Sequence, residues 1–160
     1  MLTQEHELMA TSSRNARLRE VAEEIEADVV TLYLYDAPNA SLVLWATYGL
    51  APEVIGYRMA LTQGLTGLAA RNQRPLSVKH PHEHPAYHHV RGSYEERYQS
   101  YLGLPLFVHG ELTAVMVVQT VAPKVYLLSE IESLYAVGKT LIAEVFEQAG
   151  AHVRSILKDV

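Results

Sequence analysis

The sequence predicts an α+β fold, an antiparallel sheet with N- and C-terminal helices packed on one face. Three patterns predict it. Helical periodicity opens the chain, two pairs of period-two stretches separated by turn residues fill the middle, and a second, longer helical stretch closes it.

From Arg17, the residues Leu18, Val21, Ala22 and Ile25 recur at the i, i+3, i+4, i+7 spacing of a helix with one buried stripe. Glu20, Glu23, Glu24 and Glu26 occupy the other side. Acidic charge at a helix C-terminus opposes the dipole, so these read as a solvated face and not as a cation site. The pattern then switches to period two, with Val30, Leu32 and Leu34 facing one way and Val29, Thr31, Tyr33 and Tyr35 the other. This run ends at the turn-forming Asp36-Ala37-Pro38-Asn39, and Leu42 to Tyr48 repeats it, which predicts a hairpin. Tyr101 to Val108 and Leu112 to Thr120 flank His109-Gly110, where glycine supplies the positive φ of a tight turn; this is a second hairpin. Between the hairpins, Gln63 to Ala70 reads as a short helix after a glycine turn, and Arg74 to Val78 as an edge strand. Ser129 with Glu132 three residues on is the reciprocal capping pair of a helix start. From there Ile131, Leu134, Tyr135, Leu141, Ile142, Val145, Phe146, Ala149, Val153, Ile156 and Leu157 keep helical phase, for about 45 Å. The expectation is one domain over 1–160: an N-terminal helix in 1–27, sheet and pocket loops in 28–128, and a C-terminal helix in 129–160.

A chain of 160 residues, 49% of them hydrophobic, can bury a core without metals or disulfides. The absence of cysteine excludes disulfides, thiolate metal sites, cysteine nucleophiles and thioether attachment of a chromophore. A net charge of -5 with no basic stripe gives no footprint for a nucleic acid. The N-terminus lacks a secretory pattern and no apolar stretch is long enough for a membrane span, so no membrane partner and a cytoplasmic location are expected.

The order of elements, with Leu65-Thr66-Gly67-Leu68 and the run Glu95 to Leu106, resembles a GAF domain. With His84-Pro85-Ala86-Tyr87 upstream and Leu112 to Gln119 downstream, it is most similar to the N-terminal GAF domain of the nitrogen-related phosphoenolpyruvate-protein phosphotransferases. The likeness covers roughly Asp28 to Thr120, and the sequence after Gln119 departs from the family pattern. It implies a domain that regulates a separate phosphotransferase portion, whose phosphorylated histidine and phosphoenolpyruvate site are not in this sequence. An isolated regulatory module and a piece of a longer protein both fit. Cyclic-nucleotide binding lacks its Asn-Lys-Phe-x-Asp-Glu signature here, and the methionine-sulfoxide reductase branch of the family uses cysteines.

Tyr87, Tyr94, Tyr98, Tyr101 and Arg97 combine aromatic walls with a fork of donors able to hold a planar or carboxylate ligand. The resemblance implies a loop closing over a pocket on the sheet in this region. Two readings of Arg97 stand: ligand contact, or pairing with Glu95 or Glu96. Gln119 either lines the pocket or ends its strand. Gly64-Leu65-Thr66-Gly67 offers free N–H groups at a helix start, with Thr66 as a ligand contact, although a tight turn into a packed helix needs the same glycines.

Five of the eight histidines, His80, His82, His84, His88 and His89, fall in one loop. Alternate residues of an extended chain lie about 6.6 Å apart, so His80 and His84 share an ion at ligand distances of roughly 2 Å only across a turn. Pro81 and Pro85 favour extended geometry in the preceding histidines, which opposes that turn; an exposed histidine-rich loop is expected in place of a metal site. No cofactor is expected, and no nucleophile, base and orienting group assemble into a catalytic set.

The expected function is a sensory domain for an amino acid or 2-oxo acid, glutamine and 2-oxoglutarate first, with a possible output domain. The alternatives are a dimerisation and docking module without a ligand, and a small redox or metal enzyme. A homodimer is expected through the terminal helices, with Leu134, Leu141, Val145 and Phe146 facing the domain. Ile142, Ala149, Val153 and Ile156 remain for a partner, joined by Leu18, Val21 and Ile25. Gly138 inside the helix marks a close approach or a kink.

Overall fold

The computed structural model describes residues 3–89 and 95–149. Their elements are α1 (Thr3–Ile25), β1 (Val29–Asp36), β2 (Ser41–Tyr48), β3 (Arg58–Ala60), α2 (Gly64–Asn72), β4 (Leu76–Lys79), β5 (Ser100–Val108), β6 (Glu111–Thr120) and α3 (Leu128–Ala149). The strands form one sheet in the order β3-β2-β1-β6-β5-β4, antiparallel throughout. Both expected hairpins are present, and pairing of β1 with β6 joins them at the centre. The second hairpin turns through His109 and Gly110 at φ 52 and 79, the paired positive values of a two-residue turn that matches strand twist.

Alternation sorts the strand residues onto two cores. On one face Val30, Leu32, Leu34, Leu102, Leu104, Leu106, Met116 and Val118 meet Leu18, Val21 and Ala22 of α1 and Leu134, Leu141 and Ile142 of α3. On the other, Val29, Tyr33, Leu42, Leu44, Val115 and Val117 lie under Leu65 and Ala70 of α2, with Tyr98 and Tyr101. The terminal helices therefore share one face, as the sequence predicts, while α2 and the long loops cover the opposite one. Arg17 ties the terminal helices together through a two-bond contact, Nε to Glu144 Oε2 at 2.9 Å and Nη2 to Oε1 at 3.2 Å.

Several details depart from the sequence reading. The helix α1 extends back to Thr3, well before Arg17, through residues that carry no apolar stripe. β2 is not a plain alternating strand: Leu32 pairs with Ala46 but Tyr33 with Leu44, leaving Trp45 as an extra residue. The bulge turns both Trp45 and Ala46 toward the helices. There the Arg14 guanidinium lies 3.8 Å from the Trp45 ring centre, and the Thr47 N–H donates to Asn15 Oδ1 at 3.1 Å. The cap of α3 is shifted too. Glu130, not Glu132, reaches back to the backbone, accepting from the Leu127 N–H at 2.9 Å, because the helix starts at Leu128.

The described part of the expected partner stripe is consumed within the domain. Leu18, Val21 and Ile142 are buried and Ile25 packs against the same core, because the central strands of a six-stranded sheet need that much cover. The side chains of Phe146 and Ala149, with Val153 and Ile156, lie outside the described residues. Gly138 marks a close approach, but to the sheet: a Cβ there would sit 2.6 Å from Leu106 Cδ2. Gly138→Ala should destabilise by about 1 kcal/mol, overpacking of about 1–3 kcal/mol being offset by about 1 kcal/mol of helix propensity. Chemical denaturation of Gly138→Ala alone and with Leu106→Val checks it; loss in the single variant and recovery in the double is the expected pattern.

Candidate functional site

The face opposite the terminal helices carries a small cavity of about 30 Å³. It is walled by Tyr33 of β1, Met59 of β3, Gly64, Leu65 and Thr66 of α2, Tyr101 of β5 and Gln119 of β6, with Pro81, Tyr87 and His88 from the long loop. Period two places Tyr33, Tyr101 and Gln119 on this face, Tyr101 and Gln119 being register partners. Across the cavity the Thr66 hydroxyl and the Tyr101 hydroxyl are 2.7 Å apart, both residues buried. Gln119 is only 3% exposed. On the outer side, His88 Nε2 stands 3.4 Å from the Tyr57 hydroxyl.

Four of the six expected ligand-contact residues, Thr66, Tyr87, Tyr101 and Gln119, thus converge on one cavity. Arg97 and Tyr98 do not line it. Arg97 donates from Nη2 to the Tyr98 hydroxyl at 2.9 Å, with its guanidinium 5.1 Å from that ring. Tyr98 is buried and its hydroxyl donates to the Gly49 carbonyl at 3.4 Å. Arg97 ends the 3-10 turn Glu95–Arg97 and folds back onto Tyr98, so the pair braces the loop against the sheet. Tyr94 lies outside the described residues.

Sequence reasoning missed Tyr33, Met59, Pro81 and His88 as wall residues. Tyr33 carried a usable signal, a polar-tipped aromatic on the strand face away from the helices. Met59 carried none, because β3 is three residues long and too short to show a period. The glycines at the start and in the first turn of α2 serve packing. Gly64 takes φ 69, and a Cβ on Gly67 would lie 2.7 Å from the Leu61 carbonyl oxygen, so α2 rests directly on backbone.

His80, His82 and His84 do not converge. His80 Nδ1 is 2.7 Å from Gln99 Oε1, His84 Nδ1 accepts from the Ala86 N–H at 3.0 Å, and the His80 and His82 ring centres are 6.5 Å apart. No group of three metal-ligating side chains occurs among the described residues. The backbone corrects one detail. His80 adopts φ 54 and ψ 63, not the extended form expected before Pro81, and a 3-10 turn follows at Pro81–Glu83. The His80 N–H bond to the Gln99 carbonyl at 2.9 Å anchors this conformation. His84, before Pro85, is extended as expected.

The cavity offers neutral hydrogen-bonding groups on an apolar frame: hydroxyls of Thr66 and three tyrosines and the Gln119 amide, beside Met59 and Leu65. No carboxylate, lysine or arginine is among its described wall residues.

A family model for the GAF domain matches residues 15–145. This chain belongs to the GAF domain family. The GAF domain is 28% identical over 121 residues to a protein of Escherichia coli K12 described as "Phosphoenolpyruvate-dependent phosphotransferase system"; the match takes in 70% of this chain but 16% of that protein. Among solved structures, it is similar to the GAF domain of a phosphoenolpyruvate-protein phosphotransferase from Coxiella burnetii. That match has TM-score 0.76 and 28% identity and covers 91% of this chain and 84% of that one. A free methionine-R-sulfoxide reductase from Neisseria meningitidis shares the fold at TM-score 0.69 and 20% identity, over 87% of this chain and 80% of that one. The GAF fold thus serves a phosphotransferase and an enzyme of methionine sulfoxide alike. No described helix is long and apolar enough to cross a membrane.

Proposed function

We propose that this GAF domain is a sensory module that takes a small metabolite into the cavity between α2 and the sheet. The ligand class is an amino acid or a 2-oxo acid reporting nitrogen or carbon status. The output is a phosphoenolpyruvate-protein phosphotransferase or a similar partner. One observation carries the reading: buried polar groups, the Thr66 and Tyr101 hydroxyls and Gln119, gather around a cavity on the face the terminal helices leave open. The 28% likeness to phosphotransferase proteins supports the output. The domain spans about a sixth of the curated relative, and the proposed role is regulation of phosphotransfer, not catalysis of it.

The cavity holds a water-sized volume, whereas small-molecule pockets run to about 300–1,000 Å³. Binding therefore requires the outer wall of Pro81, Tyr87 and His88 to move away from α2. Calorimetry with glutamine and 2-oxoglutarate at millimolar concentration should give saturable heat. Tyr101→Phe should weaken binding by about 0.5–1.5 kcal/mol, one neutral hydrogen bond. Arg97→Ala should leave affinity unchanged, since Arg97 braces Tyr98. Heat no greater than dilution across amino acids, 2-oxo acids and nucleotides would end the sensory reading.

A docking module without a ligand is the second reading, favoured by a separate observation. Val121, Val125, Leu127 and Leu128, each at least half exposed, all fall between the end of β6 and the first residue of α3. Light scattering distinguishes the two: a homodimer dissociated by Leu127→Asp, in a protein that binds no metabolite, would favour docking.

A further inference from the structure

We infer that Gly103 is the residue that shapes the cavity, by giving the Tyr101 ring a place to lie against the strand; the inference rests on the sensory reading of this site. Tyr101 and Gly103 are two apart on β5, so both face the cavity side. A Cβ built on Gly103 would lie 2.7 Å from the Tyr101 hydroxyl oxygen, 3.0 Å from its Cε1 and 3.1 Å from its Cζ. Ordinary contact between such atoms is about 3.5–4.0 Å. The ring is therefore laid along its own strand, over the one position in β5 that has no side chain to meet it.

That pose does two things. It brings the phenol oxygen to 2.7 Å from Thr66 Oγ1, so α2 and β5 are bridged by a pair of hydroxyls. It also keeps the bulk of the ring against the sheet, leaving the volume between Tyr33, Gln119 and α2 open. Any side chain at position 103 lifts the ring from its hydroxyl end first, since that end is nearest. The lifted ring moves toward a cavity of about 30 Å³, smaller than the ring itself, and the hydroxyl bridge to Thr66 breaks before anything else does. Gly103 acts on the ligand through Tyr101 and is a positioning residue. It selects for ligands that bind while the phenol is held flat and turned toward Thr66.

The test follows the ring and not only the ligand. In protein carrying ¹³C-labelled tyrosine, the Tyr101 ring resonance is identified by its loss in Tyr101→Phe. Gly103→Ala should shift that resonance well beyond its linewidth, as should Thr66→Val to a smaller degree. A folded Gly103→Ala protein with the wild-type Tyr101 resonance overturns the inference. The second arm is a cycle of melting temperatures. Gly103→Ala should lower the transition by several degrees in the wild-type background and much less in Tyr101→Leu, where no ring stands in the way. Equal lowering in both backgrounds, or failure to fold in both, overturns it; folding only with Tyr101→Leu supports it. The third arm is calorimetry with glutamine, where Gly103→Ala should bind at least tenfold more weakly than wild type, and equal affinity overturns the inference. If the wild-type domain binds no member of the metabolite panel, the sensory reading fails by itself, and the ring resonance and the melting cycle still decide whether Gly103 sets the pose of Tyr101.

Discussion

Gly67→Ala should unseat α2 and lower stability by about 2 kcal/mol, a fall in melting temperature of roughly 4–8 °C for a domain of this size. The added Cβ would meet the Leu61 carbonyl oxygen at 2.7 Å, the Ala60 carbonyl oxygen at 3.1 Å and the Leu61 carbonyl carbon at 3.1 Å. These are backbone atoms, and they are held: the Leu61 N–H bonds the Ala40 carbonyl at 3.2 Å, and the Arg71 guanidinium donates to the Leu61 oxygen. Helix propensity alone would make alanine better by about 1 kcal/mol, so the two effects have opposite signs. A differential scanning calorimetry trace with a raised transition would mean that α2 is free to shift. Because α2 carries Thr66 and Leu65, the same substitution should also abolish the proposed metabolite binding at temperatures below the transition.

Asp36→Ala should cost about 2–3 kcal/mol near neutral pH, from loss of charge-assisted hydrogen bonds to a buried carboxylate. The Asp36 side chain is fully buried at the end of β1; Oδ2 accepts from Arg58 Nη1 at 2.6 Å and from Asn39 Nδ2 at 3.0 Å. Burial by itself would raise its pKa. The bonds from Asn39 and Arg58 outweigh that and hold the carboxyl below its ordinary value. A carboxyl depressed in the folded state contributes stability that is complete above its unfolded value of about 3.9 and lost as pH falls through the folded value. Glu130 adds to the same trend, held down first by the Leu127 N–H and then by Lys124. The difference between wild type and Asp36→Asn in urea midpoints at pH 7 and pH 3 therefore isolates Asp36. It should shrink at the lower pH, and a constant difference would remove the carboxylate from the account of acid sensitivity.

What the sequence revealed and what it concealed have a common physical origin. Residues whose side chains alternate over a long run, such as Val29 to Tyr35, declare both strand and face, because each must choose between two cores. The tight turn at His109-Gly110 was legible for the same reason, being bounded by two such runs. Trp45 was not, since a bulge is an accommodation between strands and leaves no local pattern. The site was half legible. Thr66, Tyr87, Tyr101 and Gln119 are polar or aromatic residues in apolar surroundings, which is a signal in itself. Arg97 allows two readings by its chemistry, ligand contact or pairing with Glu95 or Glu96, and the fold gives it a third partner, the neighbouring Tyr98 hydroxyl. Gly103 looked like any strand glycine. Its role depends on where the Tyr101 ring lies, and only the fold determines that.

The pairing of β1 with β6 has a consequence for the order in which the domain is made. Val29 pairs with Gln119 and Leu34 with Ala114, so the sheet's central seam joins residues 80 to 90 positions apart. Each hairpin closes a short loop and can form within microseconds, but the seam waits until β6 has been made through Gln119. On a ribosome adding residues at about 5–20 per second, the edge of β1 stays open for several seconds after its hairpin has closed. During that time Val30, Leu32 and Leu34, fully covered in the finished domain, have neither β6 beside them nor α3 above them. The newborn chain is thus most open to wrong partners at the strand that later lies deepest in the sheet.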